Sequence, residues 1–332
     1  MTMSDTYSRS KLSTLKLVFP AMSNQEAHWF KDDPAVAVRL KTSDFYMIGA
    51  RAEAKFTEIK MDQEAKVARF NFLVHGHRPE PVEINLYELP GYVAKKPDEL
   101  WLDAGEKHIH TWNGPPHEPG SEVVDWFTTE KLLLDRSHNA LGVRGLDRYL
   151  ELLAYDLLYV GIAREGDSFE RLINHGHEKR MEILSNEPQR SPGARVTDEV
   201  YLFLMQVEPL IVTTFELDHD FEESNFTDVP DKKRIVADAE KAFVSLLRPE
   251  YNVTRFNRYP EGTDGLVDSD LSRYGYVIGE DLEFNTAHGR FRGRRDPHGF
   301  ISNDADLIFI DGDEVSLLVS GVDFPGESRG KP

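Results

Sequence analysis

The sequence predicts an α/β (α+β) protein in three parts: a β-rich N-terminal region over 1–135, a mixed central region over 136–257 and a β-rich C-terminal region over 258–332. Three observations carry this. Short apolar segments of alternating polarity gather towards both ends, as half-buried strands do. One central segment, DKKRIVADAEKAFVSLLRPEYN, keeps helical periodicity throughout. A composition of 40% apolar and 11% aromatic residues over 332 positions is enough to bury a sizeable core.

From the N-terminus, the first 20 or so residues are polar and rich in Ser and Thr, which predicts an unanchored start. VAVRL, FYMIGARAEAKF, VARFNFLV and VEINLYEL then read as strands of a small sheet. Pro90, Pro97, Pro115, Pro116 and Pro119 mark an irregular stretch in which HIHTWNGPPH gathers His108, His110, Trp112 and His117. A His-x-His pair can ligate a metal, zinc above all. With no carboxylate or cysteine at ligand spacing, these read as ordinary loop histidines.

In the central region, YLELLAYDLLYVGIA has two apolar arms around Tyr155-Asp156 and reads as a tight hairpin, although its first arm could equally begin as a helix. SFERLINHGHEKRMEIL reads as a helix with Ser168 as N-cap, which sets Arg171 and His175 one turn apart on one face. A helix at VTDEVYLFLMQV, a strand at LIVTTFEL and an acidic loop over 218–231 follow. In the clearest helix, Ile235, Ala239, Ala242, Phe243 and Leu246 form the apolar stripe, Asp231 caps the start and Pro249 stops it. Glu240 lies beside that stripe; a carboxylate at the edge of a buried face must be paired, hydrated or ligating. Beyond Asn257 the strands YGYVIG, LEFN, DLIFI and EVSLLVSGV follow, with Asp311-Gly312 as a hairpin signal and a frayed tail at ESRGKP.

The formal charge of −19 argues against a nonspecific nucleic-acid coat but leaves room for a local basic groove. FRGRR, with Arg290 before Phe291 and Arg292, Arg294 and Arg295 after it, is the candidate run, and a solvated turn is its plainer reading. The absence of cysteine excludes disulfides and thiol chemistry. No stretch approaches the run of about 18 apolar residues of a membrane helix, and LKLVFPAM, broken by Pro20, lacks a signal-peptide core; a cytoplasmic location without membrane contact is the expectation.

Tyr149 and Tyr159 stand ten apart, Arg171 and His175 four apart, Glu240 and Asn252 twelve apart. At LLYVGIA, RLINH and AEKAFVSLLRPEYN the chain resembles the GIY-YIG nuclease superfamily over about a third of its length. Tyr159-Val160-Gly161 matches the second signature tripeptide with Val for Ile. Arg171 and His175 match the restriction-enzyme branch, and Glu240 and Asn252 keep the interval between that family's metal-binding Glu and structural Asn. The first tripeptide departs: Tyr149 has the right offset, but Asp147 stands where Gly is usual, and Tyr155 competes for the position. The long interval between His175 and Glu240 implies an insertion.

The resemblance implies a small antiparallel sheet with flanking helices at the centre of the chain, and a divalent-metal-dependent endonuclease active in restriction or phage defence. DNA is the substrate ahead of RNA, and a homodimer or a protein partner is compatible. Glu240 would hold Mg²⁺ or Mn²⁺, Arg171 would grip the phosphate, Tyr149 or Tyr159 with His175 would orient or deprotonate the water, and Asn252 would brace the site. Two other readings stand beside it: a catalytically inactive nucleic-acid-binding or regulatory protein on the same scaffold, and a hydrolase of another class that uses a metal at His108 and His110.

Overall fold

The computed structural model describes residues 7–163, 168–174, 177–215, 230–262, 264–269 and 271–325. In chain order the strands of the N-terminal part are β1 (Tyr7–Leu17), β2 (Met22–Ser23), β3 (Phe45–Ala50), β4 (Ala54–Asp62), β5 (Val67–Val74) and β6 (Glu80–Asn85). β7 (Trp101–Ala104), β8 (His108–Trp112), β9 (Val123–Thr128), β10 (Val143–Gly145), β11 (Ala154–Ile162) and β12 (Val200–Phe215) follow. The last are β13 (Arg273–Ile278), β14 (Leu282–Thr286), β15 (Gly289–Gly293), β16 (Leu307–Asp311) and β17 (Glu314–Leu318).

A ten-stranded sheet runs in the order β15-β14-β11-β3-β12-β1-β13-β16-β17, with β2 paired to β12. Its pairings are antiparallel except β1 with β13 and β11 with β14. The chain between β3 and β11 carries two further sheets, β10-β6-β5-β4 and β7-β8-β9. The protein is therefore mixed α/β and mostly β-rich, and strands of the N-terminal, central and C-terminal thirds share one sheet. No helix among the described residues is long and apolar enough to cross a membrane.

Alternation along the central strands sends side chains to two apolar layers. Phe45, Met47, Val160 and Phe203 enter one layer, while Tyr46, Ile48, Leu158 and Leu202 enter the other. The helix Lys232–Leu247 covers the first layer and lays Phe243 edge-on to Phe45 at 5.8 Å and to Phe291 at 5.1 Å. It begins as its sequence demands, with the Asp231 carboxylate accepting from the Lys233 N–H at 3.2 Å, and it ends at Arg248 in the left-handed region, just before Pro249.

Several local expectations are corrected. From Tyr7 on the chain is held in place: β1 lies inside the large sheet, and part of the polar side chains that suggested a free start are buried there. Arg9, Lys11 and Ser13 are all buried, and Lys11 donates to Ser13 at 2.9 Å while its ammonium sits 4.3 Å from the Tyr276 ring. VAVRL is part of the helix Pro34–Leu40, because Asp33 caps it and Pro34 occupies the first turn; capping outweighs the β-preference of its valines. Tyr155-Asp156 is not a turn: Tyr149–Leu152 is one helical turn and β11 runs straight through the pair.

VTDEVYLFLMQV is helical only over Val196–Glu199; the rest is β12, a strand buried from Val200 to Met205 on both faces, whose unbroken apolar run carries no period to separate strand from helix. SFERLINHGHEKRMEIL is likewise no single helix, since a π-turn covers Glu170–Asn174 and a second helix starts at Glu178. The Arg290–Arg295 run is neither solvated turn nor open groove. Arg292 pairs with the fully buried Asp306 at 2.9 Å, Arg295 with Glu280 at 3.5 Å and Arg294 with Glu283 at 3.6 Å. The expected C-terminal hairpin is present, with Asp311 opposite Glu314 and Gly312 at φ 57° in the turn. Residues 218–229 of the expected acidic loop and the tail beyond 325 lie outside the described ones.

Candidate functional site

The site grows from the pairing of β3 with β11, in which Gly161 stands opposite Tyr46 and Tyr159 opposite Ile48. A register shift between Leu157 and Tyr159 turns Leu158 and Tyr159 towards the same layer as Tyr46. The Tyr46 and Tyr159 rings stack at 6.1 Å. Room for this arrangement comes from the missing side chain of Gly161: a Cβ there would lie 2.6 Å from the Tyr46 Cζ and hydroxyl oxygen.

Behind the two phenols sits His177, whose Nε2 is 3.0 Å from the Tyr46 hydroxyl oxygen. The same ring caps the helix Glu178–Asn186, with Nδ1 accepting from the Arg180 N–H at 3.3 Å. An Nδ1 that accepts must be bare, so the neutral ring carries its proton on Nε2 and donates it to Tyr46. Burial, followed by the charges of Arg171, Arg180 and Lys179, pushes the His177 pKa down to about 4. The Tyr46 and Tyr159 phenols are close enough to influence each other: the neighbouring hydroxyl makes Tyr46 a weaker acid and Tyr159 a stronger one. The result is a hydrogen-bonded His177–Tyr46 pair with the Tyr159 ring stacked on it.

Arg171 and Glu240 complete the electrostatics. Arg171 is exposed and donates to the Ile162 carbonyl, at the end of β11, at 2.7 Å. Its charge favours the phenolate of both tyrosines, whereas the half-buried Glu240 opposes it in both. Burial is the largest influence and holds both phenols above the ordinary tyrosine range. Tyr159, Arg171 and Glu240 thus form the accessible front, with the fully buried Tyr46 and the buried His177 behind.

Asn252 holds the opposite edge of β11. Its side-chain oxygen accepts from the Val160 N–H at 2.9 Å and its amide donates to the Val160 carbonyl at 2.8 Å, while the Tyr251 N–H reaches the Leu158 carbonyl at 3.0 Å. One buried side chain therefore does the work of a missing neighbouring strand for the residue between Tyr159 and Gly161. Nearby, a cleft of about 640 Å³ opens between the end of β11 and the start of the 232–247 helix, lined among others by Lys41, Ile162, Ala163, Lys232, Lys233 and Arg234.

Of the residues singled out in the sequence, Tyr159, Arg171, Glu240 and Asn252 come together. Tyr149 does not join them. Its hydroxyl donates to Asp281 at 3.1 Å, and Arg136 lies over its ring at 5.4 Å. It precedes the start of β11, from which Tyr159 is five residues on, roughly 16 Å at the rise of a strand. Tyr155 is fully buried, with its hydroxyl bonded to Glu130 and Arg51 stacked 4.8 Å from its ring. His175 lies outside the described residues. Sequence reading missed Tyr46 and His177. The only signal for Tyr46 is a hydroxyl-bearing aromatic inside the apolar run FYMIG; for His177 it is a polar residue just before a helical segment. No protein-family model, curated protein or solved structure matches the chain.

Proposed function

We propose that the protein is a divalent-metal-dependent endonuclease of the GIY-YIG kind, hydrolysing phosphodiester bonds in DNA ahead of RNA. The observation that carries this reading is the joint presentation of a phenol, a guanidinium and a carboxylate by Tyr159, Arg171 and Glu240, with the Tyr46 ring stacked behind Tyr159. Tyr46, not Tyr149, takes the part of the first signature tyrosine. The two small sheets then form an insertion between the strands that bear the two tyrosines.

Glu240 suits Mg²⁺ or Mn²⁺: it is half-exposed, and these ions keep several waters and need few protein ligands. When bound, such an ion supplies Lewis acidity to the phosphate and its leaving oxygen. To act as the base Tyr159 must be the phenolate, which takes a proton from the attacking water and becomes the neutral phenol; the Arg171 charge favours that phenolate, against burial and the Glu240 carboxylate. Arg171, with its flat fork of donors, also grips the scissile phosphate. Lys41, Lys232, Lys233 and Arg234 along the neighbouring cleft offer a local path for the backbone on an otherwise anionic chain. A role in restriction or phage defence follows from the resemblance alone.

The test is cleavage of supercoiled plasmid and labelled oligonucleotides with Mg²⁺ or Mn²⁺. Activity in the native chain that Glu240→Ala and Arg171→Ala abolish is the expected result; full activity in both variants would remove these residues from the chemistry. A second reading, a noncatalytic nucleic-acid-binding or regulatory protein, is favoured by the net charge of −19 and by pairs that already neutralise cleft cations, such as Lys232 with Asp44 at 2.7 Å. Binding of the same oligonucleotides without cleavage by either metal would select it.

A further inference from the structure

The three-stranded sheet carries a second cluster, independent of the tyrosine site. Ile109 and Thr111 of β8 are buried, so the alternate residues His108, His110 and Trp112 face the other way. Asp103 on β7 stands directly opposite His110. Ligand atoms of Asp103, His108 and His110 all lie within 4.8 Å of one another. The sequence hides this carboxylate, because the residue that joins the His-x-His pair arrives across a hairpin.

We propose that Asp103, His108 and His110 form a binding site for a borderline transition-metal ion, Zn²⁺ in the first place. Two imidazoles and one carboxylate form a donor set suited to zinc, whereas Mg²⁺ and Mn²⁺ prefer oxygen throughout. Bonds of about 2.0–2.2 Å place tetrahedral ligand atoms roughly 3.4 Å apart, so the three, all within 4.8 Å of one another, need to draw together by at most about 1.4 Å. The Asp103 and His110 side chains are 30% and 33% exposed, open enough for an ion to enter.

Two neighbours support the site. His117, in the loop between β8 and β9, reaches the Asp103 carboxylate through Nε2 at 3.3 Å and can orient it, as outer partners of metal ligands do. Gly105 makes room for His108, since a Cβ there would lie 2.9 Å from the imidazole Cε1. The ion would join β7, β8 and the loop bearing His117, so its binding pins the hairpin without contributing to the tyrosine site.

The experiment uses the untagged full-length chain after chelator treatment, titrated with ZnCl₂ by calorimetry and with CoCl₂ by visible absorption. About one equivalent should bind, with cobalt giving the spectrum of a low-coordinate nitrogen and oxygen site. Binding should vanish in His108→Ala and in His110→Gln, weaken about 10- to 100-fold in His117→Ala, and persist in Glu240→Ala. Zinc bound equally well by both of the first two variants would overturn the proposal, as would a natively folded chain that takes up neither metal. Loss of zinc in Glu240→Ala with retention in His108→Ala would also overturn it, by moving the ion to the tyrosine site.

Discussion

The Tyr46 ring lies across the Cα of Gly161, so close that a methyl group at 161 would meet its hydroxyl oxygen at 2.6 Å. The third position of Tyr159-Val160-Gly161 is thus set by a residue more than a hundred positions earlier in the chain. Gly161→Ala should displace the ring and cost about 1–3 kcal/mol, the range for overpacking a well-filled core. Urea unfolding gives the stability change, and plasmid cleavage should fall with it because the displaced Tyr46 ring no longer stacks on Tyr159.

Tyrosine substitutions separate the two candidates for the first signature position. Tyr159→Phe should lower cleavage by about 10²–10⁴-fold, the usual contribution of a positioned acid or base. Tyr46→Phe should also slow the reaction, while Tyr149→Phe should leave it close to native, since that hydroxyl is bonded to Asp281. Single-turnover rates at saturating metal measure all three, and a native rate for Tyr46→Phe with a collapsed one for Tyr149→Phe would reverse the assignment.

Asn252→Ala leaves the Val160 N–H and carbonyl without partners, at a cost of about 1–3 kcal/mol for each group left unsatisfied. Asn252→Asp should be no better, because a carboxylate accepts from the N–H but repels the carbonyl. A lower urea midpoint at unchanged slope in both variants is the expected outcome.

His177 should titrate near pH 4, which histidine NMR shifts against pH can follow. Its folded pKa lies below the unfolded value of about 6.5, so the unfolded state takes up the proton first as pH falls. The stability tied to the neutral ring is present above pH 6.5 and is lost between there and about 4. His177→Asn, which can still cap the helix, should flatten that part of the stability profile.

Glu26 gives the opposite sign. It sits in a capping box with Ser23, and burial, the largest influence, raises its pKa to about 7. With an ordinary value of 4.5 in the unfolded chain, its protonated form stabilises the fold fully below that pH, and the benefit fades as pH rises towards 7. Thermal melting of Glu26→Gln should lose this decline, while the native chain keeps it.

Legibility in the sequence followed the range of the interactions. The 232–247 helix can be read directly because its cap, stripe and stop are all local, and Glu240 comes with it. Arg171, Tyr159 and Asn252 can be picked out by residue type and order. Tyr46 cannot, since its role depends on β3 pairing with β11 across the two intervening sheets. Asp103 escapes for a similar reason at shorter range. β1 misleads for another: polar side chains that signal solvent in most sequences here line the interior, with Lys11 held by Ser13 and the Tyr276 ring, and burial lowering its pKa to about 7.

The placement of β1 has a consequence for the order in which the molecule can be made. Ser10 pairs with Arg273 on one side, and Leu12 pairs with Leu210 on the other. During synthesis the first strand leaves the ribosome long before either neighbour exists. At roughly 5–20 residues per second, the strand that completes its second edge follows on the order of ten to fifty seconds later. Until then one edge of β1 has no partner strand, and Lys11 and Ser13, which the finished sheet buries, can keep their water.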